Sequence, residues 1–381
     1  MNFLDLKYDC ENKKKSEIQN KQHINISTRA KDIIMSDEDV FYVQKNTAEN
    51  RSMEKKHPSS NMINHIFRNF KDSARASVGN TLTKERDRLN EILHDLNNSQ
   101  RLIAQNALIE NKRKELDVYI DSLKKRKGFS FKINIDSDNI KYLTSDAGQL
   151  EKEYYNDKIG GYIEALLEEY AELPYIEREK IFYKSNLETI YAAMNQNKQL
   201  SLQVYKNSIV FKPYSICKDP ESLYNYLVGL RLIYKYEDDL PEPKKEWQIT
   251  SIRLSSIQKC SCTTDDAFFS KDIKKQICQN IEKQGVQYLA DRGENIKLVV
   301  YLDKNGLKDY HKLLHLRPMY VNQLQINEQG GATLEFYCSE TQAEYYFFKY
   351  GHKAKILEPK YLASKFARKY SNAAKQYSEE C

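Results

Sequence analysis

Residues Phe129–Asp136 alternate without an error, with Phe129, Phe131, Ile133 and Ile135 on one side and Ser130, Lys132, Asn134 and Asp136 on the other. Period two with aromatic and β-branched residues marks a strand with one buried face. Helical sequence precedes it and more follows, so no second strand lies nearby in the chain. A strand in a folded core must pair its backbone N–H and C=O groups. Two sources of a partner are open. A ribbon-helix-helix unit takes it from a second subunit, and the alternative is the edge of a sheet encoded farther on.

The flanks read as helices. Leu82, Leu89, Ile92, Leu93 and Leu96 recur at three- and four-residue steps, and after a break at Asn97–Ser99 so do Leu102, Ile103, Leu108, Leu116, Ile120 and Leu123. The second helix ends in Lys124-Lys125-Arg126-Lys127-Gly128, where cations complement the helix dipole and glycine terminates the turn. After the strand, Ser137 or Asp138 is the expected N-cap of a short helix carrying Ile140, Leu143 and Ala147. A longer helix with Ile159, Tyr162, Ile163, Leu166, Leu167 and Tyr170 inside stops at Pro174. Residues 1–60 are polar and are expected to be largely disordered, with one short element around Asp37–Gln44.

From Gln199 the texture changes to short strands separated by turn residues, as in a small barrel or curled sheet. The last ninety or so residues read strand, helix, strand, strand, helix, strand, which is the split ferredoxin-like order.

Charge and composition narrow the function. Of 60 Lys/Arg and 54 Asp/Glu, 25 and 19 fall in residues 1–128, which leaves 35 of each in the remainder. The net charge of +6 thus sits in the N-terminal third, compatible with a polyanionic partner. Only 12 glycines are present, and neither Gly-rich phosphate-loop pattern occurs. The seven cysteines are scattered and form no zinc-module spacing; Cys260 and Cys262 on alternate strand positions read as packing. His311 and His315 share a helix face but lack an intervening glutamate base and a third ligand. No catalytic residue, metal or cofactor is expected, nor any membrane segment, and a cytoplasmic bacterial protein is the reading.

Three motifs stand in order in the strand-rich region: Lys212–Ile216 with Pro213-Tyr214, Tyr224–Gly229 with Tyr226-Leu227, and Ser251–Ile257 with Arg253, Leu254 and Ile257. They resemble the WYL family of bacterial regulators, in which a Pro-Tyr strand, a Trp-Tyr-Leu strand and an Arg-Leu-x-x-Ile strand build a Sm-like barrel. Asn225 stands where the family has tryptophan. Ala343–Pro359 resembles the extension that follows WYL domains. With a ribbon-helix-helix unit ahead of one WYL barrel, the layout is similar to the WYL accessory proteins of type VI-D CRISPR systems.

The resemblance implies an α+β protein. It would comprise a polar segment (1–60), a helical region (61–128), a ribbon-helix-helix unit (129–173), a linker helix (174–198), a Sm-like WYL barrel (199–270), a linking helix (271–293) and a ferredoxin-like, dimerising extension (294–381). It implies a homodimer that binds single-stranded RNA and stimulates an RNA-guided nuclease. The alternative is a DNA-binding transcriptional regulator whose WYL domain senses a ligand. The expected pocket residues are Tyr214, Asn225, Tyr226 and Arg253. On the ribbon, Ser130, Lys132 and Asn134 would face nucleic acid, and Lys158 with the helix start beside it would hold a phosphate.

Overall fold

The structure, a computed structural model, describes residues 20–43, 56–218, 224–235, 243–289, 296–313 and 317–378. The chain is α+β and divides into two compact units, residues 1–184 and 185–381.

In the first unit, β1 (Lys21–Ile26) pairs antiparallel with β2 (Phe129–Asn134) across the whole of both strands. This corrects the expectation that the partner comes from a second subunit. The missing strand lies in the segment expected to be disordered, where residues 20–43 form β1 and α1 (Thr28–Val43). Burial explains why six residues with only two aliphatic side chains hold. Ile24 and Ile26 are fully buried on the unit's core, each worth about 1.5–3 kcal/mol. On β2's other edge, the Asn134 N–H donates to Ser60 Oγ (3.1 Å) and its carbonyl accepts from Asn64 Nδ2 (2.8 Å), so α2 (Ser60–Phe70) covers that end.

α3 (Val78–Ile92) and α4 (Asn98–Lys124) form the expected helical pair. Only its inner half is buried: Leu82, Leu89, Leu116, Ile120 and Leu123 lie inside, whereas Ile92, Leu102 and Ile103 are exposed. Three helices follow β2 rather than two: α5 (Ser137–Leu143), α6 (Asp146–Tyr154) and α7 (Ile159–Glu172). The N-cap of α5 is Asp136, one residue earlier than expected, because its extended backbone lets the carboxylate accept from Asn139 N at 2.9 Å.

α7 is the unit's central helix, with Tyr162, Leu166, Leu167 and Tyr170 fully buried. Its carboxylates bond backbone donors that no helix ladder reaches. Glu164 accepts from Asn25 N (2.7 Å), Glu168 from Ser27 N and from the Ser27 hydroxyl (3.0 Å for the latter), and Glu169 from Arg75 N and Ala76 N (2.8 and 2.7 Å). α8 (Tyr175–Phe182) completes the unit.

The second unit opens with α9 (Lys184–Asn195), so the expected single linker helix is two. A five-stranded antiparallel sheet follows: β3 (Lys198–Val204), β4 (Asn207–Cys217), β5 (Tyr226–Lys235), β6 (Lys244–Arg253) and β7 (Ile257–Asp266), in spatial order β6-β5-β4-β3-β7. The expected barrel is not closed, since β6 and β7, joined by a 3₁₀ turn at Leu254–Ser256, are the two edges. Gly229 sits opposite Pro213 beside a bulge in β4, where a Cβ would lie 2.0 Å from the Lys212 carbonyl oxygen. α10 (Lys271–Gln284) packs Ile277 onto Val228 of this sheet.

The C-terminal part runs β8 (Ile296–Leu302), α11 (Lys304–Lys312), β9 (Tyr320–Ile326), β10 (Ala332–Cys338), α12 (Glu340–Phe347), β11 (Ala354–Glu358) and α13 (Lys360–Ser378). Its antiparallel sheet has the order β11-β8-β10-β9 over a core rich in Tyr310, Phe336, Tyr346 and Phe347. His311 lies in the last turn of α11, and His315 lies outside the described residues.

Candidate nucleic-acid interface

The ribbon's register decides what it shows to solvent. Lys21 faces Asn134, His23 faces Lys132 and Asn25 faces Ser130. Asn25's N–H leaves the ladder for Glu164, so these are the narrow, non-hydrogen-bonded pairs, with side chains about 4.5–5.5 Å apart at Cβ. The alternate pairs, such as Ile24 with Phe131, turn inward. The outer face therefore carries two lysines, a histidine, a hydroxyl and two amides, with no carboxylate among its six residues. Ser130, Lys132 and Asn134 are all exposed, as their pattern required.

Next to this face lies a groove of about 640 Å³. It is lined by His23 from β1, Lys124 and Lys127 from the end of α4, and Lys152, Lys158 and the first turn of α7. His23 belongs to both surfaces, so the cationic face runs from Lys132 into the groove. Lys158 is exposed at its mouth. Two acids share the lining, Asp157 and Glu164. Lys127 Nζ donates to Glu164 at 2.7 Å, while Lys124 stands 5.1 Å from the Tyr155 ring centre. Gly160 permits the close approach of α7 to β1, since a Cβ there would come 2.9 Å from His23 O.

Ser130, Lys132 and Asn134 lie on the ribbon's exposed face and Lys158 in the groove, and the fold brings Lys21, His23, Lys124, Lys127 and Lys152, which no sequence pattern singled out, beside them. In the sequence, the helix dipole alone accounts for the basic run at 124–127. Only the return of β1 to that helix end turns the run into a groove wall.

The four residues expected in the second unit's sheet separate into two roles. Tyr226 and Arg253 are direct cross-strand partners at the ends of β5 and β6. The Arg253 guanidinium lies 3.1 Å from the centre of the Tyr224 ring, and its Nε is buried without a hydrogen-bond partner. Tyr224 stands two residues before Tyr226, and that i, i+2 spacing is its signal in the sequence. Tyr214 and Asn225 make contacts within the unit. Tyr214 packs against Phe269 at 5.4 Å between ring centres, and burial, with the Cys278 thiol it bonds, pushes its hydroxyl pKa up. Asn225 is 1% exposed, and its carbonyl accepts from Leu254 N at 2.8 Å. Tyr226 also leans on the cluster beneath α10.

No protein-family model matches the chain, and no curated protein matches it. Among solved structures it is similar to one described as a CRISPR Cas-related protein, at 21% identity and a TM-score of 0.68, over 96% of this chain and 95% of the other. That likeness shows a shared fold. A proteasome accessory factor B/C (PafBC) of Arthrobacter aurescens matches at 11% identity and a TM-score of 0.24, over 62% of this chain and 35% of that one, a score at which shared shape carries no weight. Among the described residues no helix is long and apolar enough to cross a membrane.

Proposed function

We propose that this protein is a non-catalytic nucleic-acid-binding accessory of an RNA-guided nuclease, with single-stranded RNA as its ligand. The observation that carries the reading is the acid-free outer face of the β1–β2 ribbon, which continues through His23 into the lysine-lined groove. Such a surface tracks a phosphate backbone, while Asn25, Asn134 and Ser130 offer donors and acceptors to bases. The CRISPR Cas-related neighbour, alike over nearly the full length of both chains, supports a CRISPR-associated accessory role. Arg253, stacked on Tyr224 with Nε unbonded, is the second contact, where a phosphate would meet a planar fork.

The fold we propose for the second unit is WYL-like. Its strand order, with a 3₁₀ turn joining the two edge strands, suits a Sm-like sheet left open, and the C-terminal sheet order suits a ferredoxin-like extension. The homodimer reading rests on β9, an edge strand exposed along its whole length.

Labelled single-stranded RNA and a DNA duplex of the same sequence, titrated at one fixed salt concentration, test the function. RNA should bind more tightly, and Lys132→Ala with Lys158→Ala should weaken it. Tighter duplex binding, lost in Lys132→Ala, would instead favour a DNA-binding regulator.

A further inference from the structure

A second groove, of about 370 Å³, lies in the second unit between the outer edge of the sheet and α10. Its volume is within the range of small-molecule sites, about 300–1,000 Å³. Trp247, Gln248 and Ile249 of β6 line one wall, and Ile273, Gln276 and Asn280 of α10 line the other. The α10 residues recur at three- and four-residue steps, so one helix face presents an aliphatic floor followed by two amides. Lys212 sits over the Trp247 ring, 4.3 Å from its centre, and is not part of the groove's lining. The half-buried indole thus has a cation on one face and borders the groove as well. The acid in the lining, Glu246, is already engaged by another group. Lys244 and Lys245, just before it in β6, are exposed.

We infer that this groove is a nucleobase subsite, which takes one unpaired base of a single strand. A planar heterocycle fits the chemistry on each side. The indole offers a stacking face that tolerates any base, and the amides of Gln276 and Asn280 supply both donors and acceptors for a base edge. Lys244 and Lys245 supply the cations for a phosphate next to the base. A duplex cannot use the site, because its bases are stacked and paired; the subsite therefore favours single strands. It is separate from the Arg253 contact, since Trp247 pairs with Leu232, six residues from Tyr226 along β5. The inference rests on the reading of the protein as a nucleic-acid binder, but its test separates the two.

The chain has one tryptophan, so its emission reports on this groove alone. Full-length protein is titrated with oligouridylate, oligoadenylate and, as a polyanion without bases, inorganic polyphosphate, while anisotropy reports total binding. Either RNA should change the Trp247 emission at saturation, and polyphosphate should bind without doing so. Asn280→Ala and Gln276→Ala should each weaken RNA binding by about three- to tenfold and blunt the emission change. Lys132→Ala with Lys158→Ala should weaken binding but leave the emission change at saturation intact. If RNA binds while emission stays flat and both amide variants keep full affinity, the subsite is wrong and the nucleic-acid reading stands. If RNA fails to bind by anisotropy, the nucleic-acid reading falls. In that case adenosine monophosphate at millimolar concentration decides the groove: an emission change lost in Asn280→Ala keeps it as a base site, and no change overturns it.

Discussion

Arg178 grips Asp37 with two prongs, Nε to Oδ2 at 2.6 Å and Nη2 to Oδ1 at 3.1 Å, and the Asp37 side chain is 1% exposed. The Tyr170 hydroxyl donates to the same carboxylate at 2.9 Å. This one acid therefore joins α1, α7 and α8. Removing the cation strands a buried charge, which costs about 3–5 kcal/mol. Arg178→Met should lower the unfolding free energy of the first unit, read from urea denaturation, by that amount. Asp37→Asn, which keeps an acceptor for Tyr170, should cost less, and equal losses in the two variants would contradict the assignment.

Glu151 is fully buried against the start of α3, where its Oε1 accepts from Asn80 N at 2.9 Å. Burial pushes its carboxyl pKa up from 4.5 to about 7, against the lowering effect of the backbone N–H groups of Asn80, Gly79 and Val78. A raised folded pKa favours the protonated native state. Its contribution is thus complete below about pH 4.5 and is lost as pH rises towards 7, by about 3 kcal/mol at most. Denaturation from pH 4.5 to 8 should show this slope, reduced in Glu151→Gln. Some slope remains, because burial raises Glu169 in the same direction.

Salt dependence measures how many groove lysines meet phosphates. Each such contact adds about 0.7 to the slope of log affinity against log salt for a single strand. Lys124→Gln with Lys158→Gln should flatten the slope by about 1.4. Lys127→Gln should change it less, since Lys127 is already paired with Glu164. An unchanged slope in the double variant would remove the groove from the binding path.

Arg253 offers a planar cation held over the Tyr224 ring. Arg253→Lys keeps the charge and loses the plane, so RNA affinity should fall nearly as far as in Arg253→Ala, by roughly tenfold. Full affinity in the lysine variant would reduce the contact to simple charge.

Gly229→Ala tests the β4 bulge. The new methyl would meet the Lys212 carbonyl oxygen at 2.0 Å, so the strands must part and the unit's thermal midpoint should drop by several degrees.

Much of this molecule was legible in its sequence, because local periodicity reports local burial. The alternation in β2 fixed which side chains face out, the apolar stripe of α7 fixed its buried face, and the element order of the C-terminal part followed from its strand and helix signals. What failed were features that depend on partners far away in the chain. β1 has two isoleucines in polar surroundings and becomes a strand only by pairing with residues more than a hundred positions on. The basic run at Lys124–Lys127 is an ordinary helix end until His23 and Lys158 are brought beside it. Leu102 and Ile103 obey the helical period yet stay exposed, since among the described residues none covers the outer half of that helix pair. The sequence by itself determined which residues could be inside. Only the tertiary structure decided that β2's partner is its own chain, because backbone pairing is set by which edges meet and not by the side chains that line them.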